Sequence, residues 1–202
     1  MEFLKPGHMP NSQSMKSFVV DLLKNNLSPF YYYHNLEHTL YVTEKANEIA
    51  KEENCTDEEI DLLNAAALWH DTGFIHSYNN HEEESCAIAK DNLSNYGYSS
   101  SKIEIICGMI MATKLPQQPK TNLEEIIADA DLEYLGTDDV AVKAELLYKE
   151  WLYLNPFLTR EDWNKKQIAF LKSHHYFTKH CKKNSEPAKA AYLKKLSESE
   201  FN

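Results

Sequence analysis

His70 and Asp71 stand side by side at the end of an apolar run, Leu62–Trp69, and are followed at once by Thr72 and Gly73. Upstream lies His34-Asn35-Leu36-Glu37-His38, and downstream Ala128-Asp129-Ala130-Asp131. Two imidazoles, His38 and His70, and two carboxylates, Asp71 and Asp131, are thereby offered by three segments to one divalent metal. Such a mixed nitrogen and oxygen set is borderline-hard. It suits Mn²⁺, Fe²⁺, Co²⁺, Ni²⁺, Zn²⁺ or Mg²⁺ rather than a thiolate metal. A single buried imidazole is satisfied by an ordinary hydrogen bond. A buried carboxylate is costlier and requires a cation or donors.

The elements that must carry these groups read as helices from Met15 to Leu196, with loops near 28–34, 72–81, 95–100, 114–122 and 155–160. The first helix spans Met15–Asn26. The second opens near Leu36 and runs to Glu53, with His38, Val42, Lys45/Ala46 and Ile49 on one stripe at helical spacing, so His38 should point inward. The third begins at Thr56, with Glu59 three residues on, a capping-box pattern. Its Ile60, Leu63, Ala67 and His70 share a face. His81–Asn95 and Ser101–Thr113 follow. Leu123–Leu135 places Ile127 and Asp131 four apart on one side, with Gly136 as its C-cap. Two or more helices fill Asp139–Leu154 and Arg160–Leu196.

With 202 residues, 43% of them hydrophobic, only 5 Gly and 7 Pro, the chain is long enough for one all-α domain, residues 15–202. Residues 1–14 read as a flexible N-terminus or a tag remnant, Gly7-His8-Met9, without the charged start and apolar core of a signal peptide. No apolar run reaches the ~18 residues of a membrane span. Cys55, Cys86, Cys107 and Cys181 are too scattered for a zinc knuckle or a disulfide scaffold, which suits reduced thiols in the cytoplasm. The net charge of −10, with Arg160 the single arginine, argues against extended nucleic acid as a partner. A small anion can still bind locally. An acidic, tyrosine-rich helical domain is compatible with a homodimer, although no surface is specified.

The series His38…His70-Asp71…Asp131 resembles the H…HD…D signature of the HD superfamily of metal-dependent phosphohydrolases. The surrounding wording agrees over about residues 30–140. His38-Thr39-Leu40-Tyr41-Val42 is similar to the family's first helix, and Ala67-Leu68-Trp69-His70-Asp71-Thr72-Gly73 to its central motif. His81-Glu82-Glu83-Glu84-Ser85-Cys86-Ala87 resembles H-E-x-x-[SG]-x-A, and Ala128–Gly136 resembles D-A-D-L-x-x-L-G. Phe170–Thr178 also looks like the C-terminal helix of a small bacterial subgroup of predicted HD hydrolases. The resemblance implies a single compact helical bundle holding one or two divalent ions at His38, His70, Asp71 and Asp131.

Tyr33-His34-Asn35-Leu36-Glu37-His38 further resembles the Y-H-N-x-x-H of cyclic-nucleotide phosphodiesterases in the same superfamily. By that resemblance His38 is a ligand and His34 the general acid. The implied reaction is hydrolysis of a small phosphate ester, a nucleotide or similar. In it Asp71 or Glu82 orients the attacking water and His34 protonates the departing oxygen. Lys114 would hold a non-transferred oxygen, and Asn35 would orient a water or cap its helix. The aromatic cluster Phe30–Tyr33 packs the helix start or stacks a base. Asp129 reads as a supporting carboxylate or an alternate ligand. His174 and His175 read as an exposed helix face or a basic rim.

Departures from the pattern limit what carries over. Phe74 occupies both the position of the phosphodiesterase histidine three residues after the Asp and that of the lysine in H-D-x-G-K members. Cyclic-nucleotide and cyclic-dinucleotide specificity are therefore not implied. His76 and His81 are the nearby candidates for a second ion. Two other classes stay open: a sensor that binds a nucleotide or metal without catalysis, and a di-iron oxygenase, which two equivalents of tightly bound iron would reveal.

Overall fold

The chain starts its helices with side chains that accept from their own first-turn amides. Asn35, Thr56, Ser99, Thr121, Thr159 and Thr178 are all N-caps of this kind. At Thr56 the predicted capping box is complete, with Glu59 reaching back to the cap amide. The structure is a computed structural model and describes residues 12–199.

Among the described residues there are ten α-helices and no strand: α1 Ser12–Asn26, α2 Leu36–Glu52, α3 Asp57–Trp69, α4 His81–Asn92, α5 Ser100–Ala112, α6 Asn122–Asp131, α7 Val140–Leu154, α8 Arg160–Ser173, α9 Lys179–Asn184 and α10 Glu186–Ser199. Three 3₁₀ turns, Thr72–Ile75, Leu93–Tyr96 and Glu133–Gly136, follow α3, α4 and α6. The all-α expectation holds. No helix among the described residues is long and apolar enough to cross a membrane.

Several boundaries differ from the sequence reading. Helix α1 already includes Ser12–Ser14, and the tag-like Gly7-His8-Met9 lies outside the described residues. The predicted sixth helix stops at Asp131 and tightens into the turn at Glu133. Gly136 is no left-handed C-cap; among the described residues the glycine with positive φ is Gly97. Gly136 is small because a Cβ there would stand 2.4 Å from Ser185 Cβ and 2.6 Å from the Ser185 backbone. The segment expected as a C-terminal helix, Phe170–Thr178, breaks after Ser173 and runs without helix to α9.

Helices α2, α3, α5 and α6 form the centre, with α2 packed on α3 and α6, and α5 on α3, α4 and α6. The α2 stripe is as expected: His38, Val42, Ala46 and Ile49 are all buried. The main core extends from Met15 on α1 to Cys181 on α9. The C-terminal helices are docked by specific polar contacts. Asp129, fully buried on α6, accepts from the Phe177 and Thr178 amides at 2.9 and 2.8 Å and from Thr178 Oγ1 at 2.7 Å. Tyr176 Oη donates to the carbonyls of Leu132 and Glu133.

Replacing Gly136 by Ala forces the turn after α6 away from Ser185. Overpacking of this kind costs about 1–3 kcal/mol. A thermal melt should show Tm lower by about 2–4 °C for each kcal/mol lost; an unchanged Tm would mean that the contact relaxes freely.

Candidate metal centre and adjoining cavity

His38 reaches the centre because Asn35 starts α2 one turn earlier. Asn35 Oδ1 accepts from the Glu37 and His38 amides, and its Nδ2 donates to the Tyr32 carbonyl. Its side chain is thus occupied on both ends, and the expected substrate contact gives way to the cap. His70 lies at the end of α3, where its Nδ1 donates to the Ala67 carbonyl at 2.8 Å. That bond leaves Nε2 as the free nitrogen, turned toward the carboxylates.

Four side chains converge. His38 Nε2 lies 3.1 Å from Asp131 Oδ1 and 3.4 Å from Asp71 Oδ2. His70 Nε2 lies 3.2 Å from Asp71 Oδ2 and 3.6 Å from Asp131 Oδ1. The donor atoms of His38, His70 and Asp71 all fall within 4.8 Å of one another. His70 Nε2 and Asp71 Oδ2 are buried and have no hydrogen-bond partner. Orphaned, converging nitrogen and oxygen lone pairs of this type fit a divalent cation. The electrostatics agree. Burial opposes charge on both carboxyls, yet His70 and His38 beside them hold Asp71 and Asp131 below the usual range. Burial likewise disfavours a charged His70, but Asp71 and Asp131 prevail and raise its pKa well above 6.5.

The loop after Asp71 brings further groups in. Gly73 has room for no side chain, since a Cβ would meet the His81 carbonyl at 2.0 Å. Its amide donates to Ser85 Oγ. This seats the start of α4 against the centre. Glu82 is buried there, and His81 Nε2 lies 3.4 Å from Glu82 Oε1 and 3.7 Å from Asp71 Oδ1. His76 is exposed and pairs with Glu84, which leaves His81 as the nearer extra imidazole.

His34 sits beside the cluster. Its Nδ1–H donates to Glu150 Oε1 at 2.5 Å, while Glu150 Oε2 accepts from the Tyr33 and His34 amides. A carboxylate only accepts, so Nδ1 carries the proton and Nε2 is the nitrogen left for other work. Burial disfavours the charged ring, but the Glu150 bond and charge, with Asp71 and Asp131, raise the His34 pKa. Glu150, fully buried on α7, escaped the sequence reading. A charged residue flanked by Leu146, Leu147, Tyr148, Trp151 and Leu152 was the available signal.

A cavity of about 410 Å³ opens on the cluster and is lined by His34, Asp71, His81, Glu82, Lys114 and Asp131 among others. Lys114 is at its edge, but its ammonium is paired with Glu83 and contacts Asn80 at 3.4 Å. Asp129 is not an alternate ligand, because its oxygens are committed to the 177–178 amides. His174 is no basic rim. It lies beyond α8 against Lys189, and burial together with that ammonium pushes its pKa down to about 4. Of the aromatic cluster, Tyr33 is buried and Phe30 stacks on Tyr153, as packing of the helix start requires.

The HD domain family model matches residues 35–133, the stretch that holds all four converging side chains. This chain carries an HD domain. A crystal structure of a predicted HD superfamily hydrolase from an uncultured Thermotogales bacterium is similar, with TM-score 0.62 and 20% identity over 96% of this chain and 94% of that one. At that identity the likeness shows the fold. No curated protein sequence matches.

Binding of a divalent ion requires His70 to surrender its proton. The affinity for Mn²⁺ should therefore weaken as pH falls through the raised His70 pKa, and strengthen above it. Titration calorimetry should also find Asp131→Ala weaker by more than about tenfold. Equal affinity in wild type and variant would remove Asp131 from the ligand set.

Proposed function

We propose that this HD domain is a metal-dependent phosphohydrolase acting on a small phosphate ester, the nucleotide or similar compound expected from the sequence. The observation that carries the reading is the His34–Glu150 pair beside a metal-fitting cluster. A site that only binds a metal or nucleotide has no use for an imidazole backed by a buried carboxylate. His38, His70, Asp71 and Asp131 are the residues that would hold the ion. A divalent ion there supplies an acidified water and polarises a phosphoryl oxygen.

The chain's own groups do the rest. Asp71, with Glu82 beside it, orients the attacking water and receives its proton. The water oxygen bonds to phosphorus as the phosphorus–oxygen bond to the alcohol breaks. His34 delivers a proton from Nε2 to that leaving oxygen, and Glu150 stabilises the imidazolium beforehand. The products are the alcohol and the phosphate. The Lys114 ammonium can reach a non-transferred oxygen only by exchanging its Glu83 partner.

The general acid must be protonated, so activity declines as pH rises through the raised His34 pKa. Glu150→Gln removes the charge that raises it and should move this alkaline limb to lower pH. His34→Gln should lower kcat by about 10²–10⁴-fold with metal content intact. The measurements are pH–rate profiles on a chromogenic ester with Mn²⁺. Unchanged turnover in His34→Gln would assign proton transfer elsewhere.

A further inference from the structure

The cavity that meets the metal cluster has a second side with a different character. It is supplied by α7, α8, α10 and the turn after α6, and includes Leu135, Val140, Leu147, Trp163, Phe170 and Leu171. The polar side chains interspersed there are few. Tyr192 Oη donates to Gln167 Oε1, and Gln167 Nε2 donates to Asn164 Oδ1, both at 3.4 Å. The Lys166 ammonium lies 5.6 Å from the Trp151 ring centroid. The donor left over is Trp163 Nε1–H, buried and without a partner.

The aromatic rings nearer the cluster are likewise filled. Phe74 is buried, stacked with His34 at 4.4 Å and His81 at 3.9 Å and met edge-on by Tyr31 and Tyr78, so it offers no free face to a base. Arg160, the chain's one arginine, is held in a two-pronged pair with Glu145 and packs over Tyr148. A chain of phosphates would meet a lone cation on this side, the exposed Lys166, rather than a cradle. A nucleoside would place a base edge and ribose hydroxyls against a mostly apolar wall with Trp163 Nε1–H as its unpaired donor, a cost in binding.

We propose that the ester cleaved here joins phosphate to an apolar alcohol, whose hydrocarbon part fills the α7–α8–α10 side while its phosphoryl group meets the cluster. This rests on the phosphohydrolase reading and replaces its nucleotide by an apolar-tailed phosphate ester. The cavity is continuous from one side to the other, so one molecule spans both. Burial of each methylene then favours the longer ester, by about fourfold.

The test uses the full chain loaded with Mn²⁺ and the n-butyl, n-hexyl and n-octyl phosphates, as monoesters and as methyl diesters. AMP, UMP and a chromogenic phosphate ester serve as comparisons. Binding of butyl- and octylphosphonate is followed in parallel by the fluorescence of Trp151 and Trp163. We expect kcat/KM to climb about fourfold per methylene, with octyl phosphate ahead of AMP and UMP. The octyl-to-butyl ratio should shrink toward one in Ala144→Phe, which fills the apolar side. The phosphonate series keeps the test decisive should that variant fail to fold. Chromogenic turnover with no chain-length gain, or a preference for AMP, overturns the apolar substrate and leaves the phosphohydrolase standing. Phosphonates that bind more tightly with length, in a protein that cleaves no ester, support the apolar ligand and overturn the hydrolysis.

Discussion

Two carboxylates that share one buried site must be offset by positive charge. Asp71 is 5% exposed and His70 is not exposed at all, and every close contact among Asp71, Asp131, His38 and His70 lies between 3.1 and 3.6 Å. Two carboxylates that face the same buried pair of imidazoles destabilise the fold unless a cation or bound protons stand between them. Much else serves that constraint. Asn35 sets where α2 begins, the Ala67 carbonyl fixes the His70 tautomer, and Gly73 lets α4 close over the loop. A proton on His70 and a divalent ion are two ways of meeting the same demand, which is why metal affinity and pH are linked here.

The proposed function draws equally on the part of the chain beyond the HD match. Residues 35–133 contain the four converging side chains, His38, His70, Asp71 and Asp131. Glu150, which orients His34, comes from α7, and the apolar side of the cavity comes from α7, α8 and α10. The segment from α8 to α10 is held by the Asp129 carboxylate, the Tyr176 hydroxyl and the close seat of Ser185 on Gly136, and α7 by Glu150 itself. A buried carboxylate that satisfies three donors is strong local glue. In this account the central helices supply chemistry, and the C-terminal helices supply the proton donor's partner and the shape that selects the substrate.

The local physics of the chain made the helices and the ligands legible. Caps such as Thr56 and the 3.6-residue stripe of His38, Val42, Ala46 and Ile49 act over a few residues, so a single segment carries the information. The apolar residues around Glu150 hint at burial, but its partner is 116 residues away and nothing local names it. Asp129 shows the same limit from the other side. Next to a ligand in sequence, it faces the 177–178 amides instead. The break at Ser173 was missed because extended residues 174–178 are stabilised by α6 and the turn after it, not by their own sequence.

The most direct check of the central claim is a crystal structure of the protein soaked in Mn²⁺, measured at a wavelength where manganese scatters anomalously. The account predicts an anomalous peak between His38 Nε2, His70 Nε2 and the Asp71 and Asp131 carboxylates, at ligand distances of about 2.0–2.3 Å. A well-ordered map with those four side chains in place and no peak among them, or with manganese bound elsewhere, would contradict it.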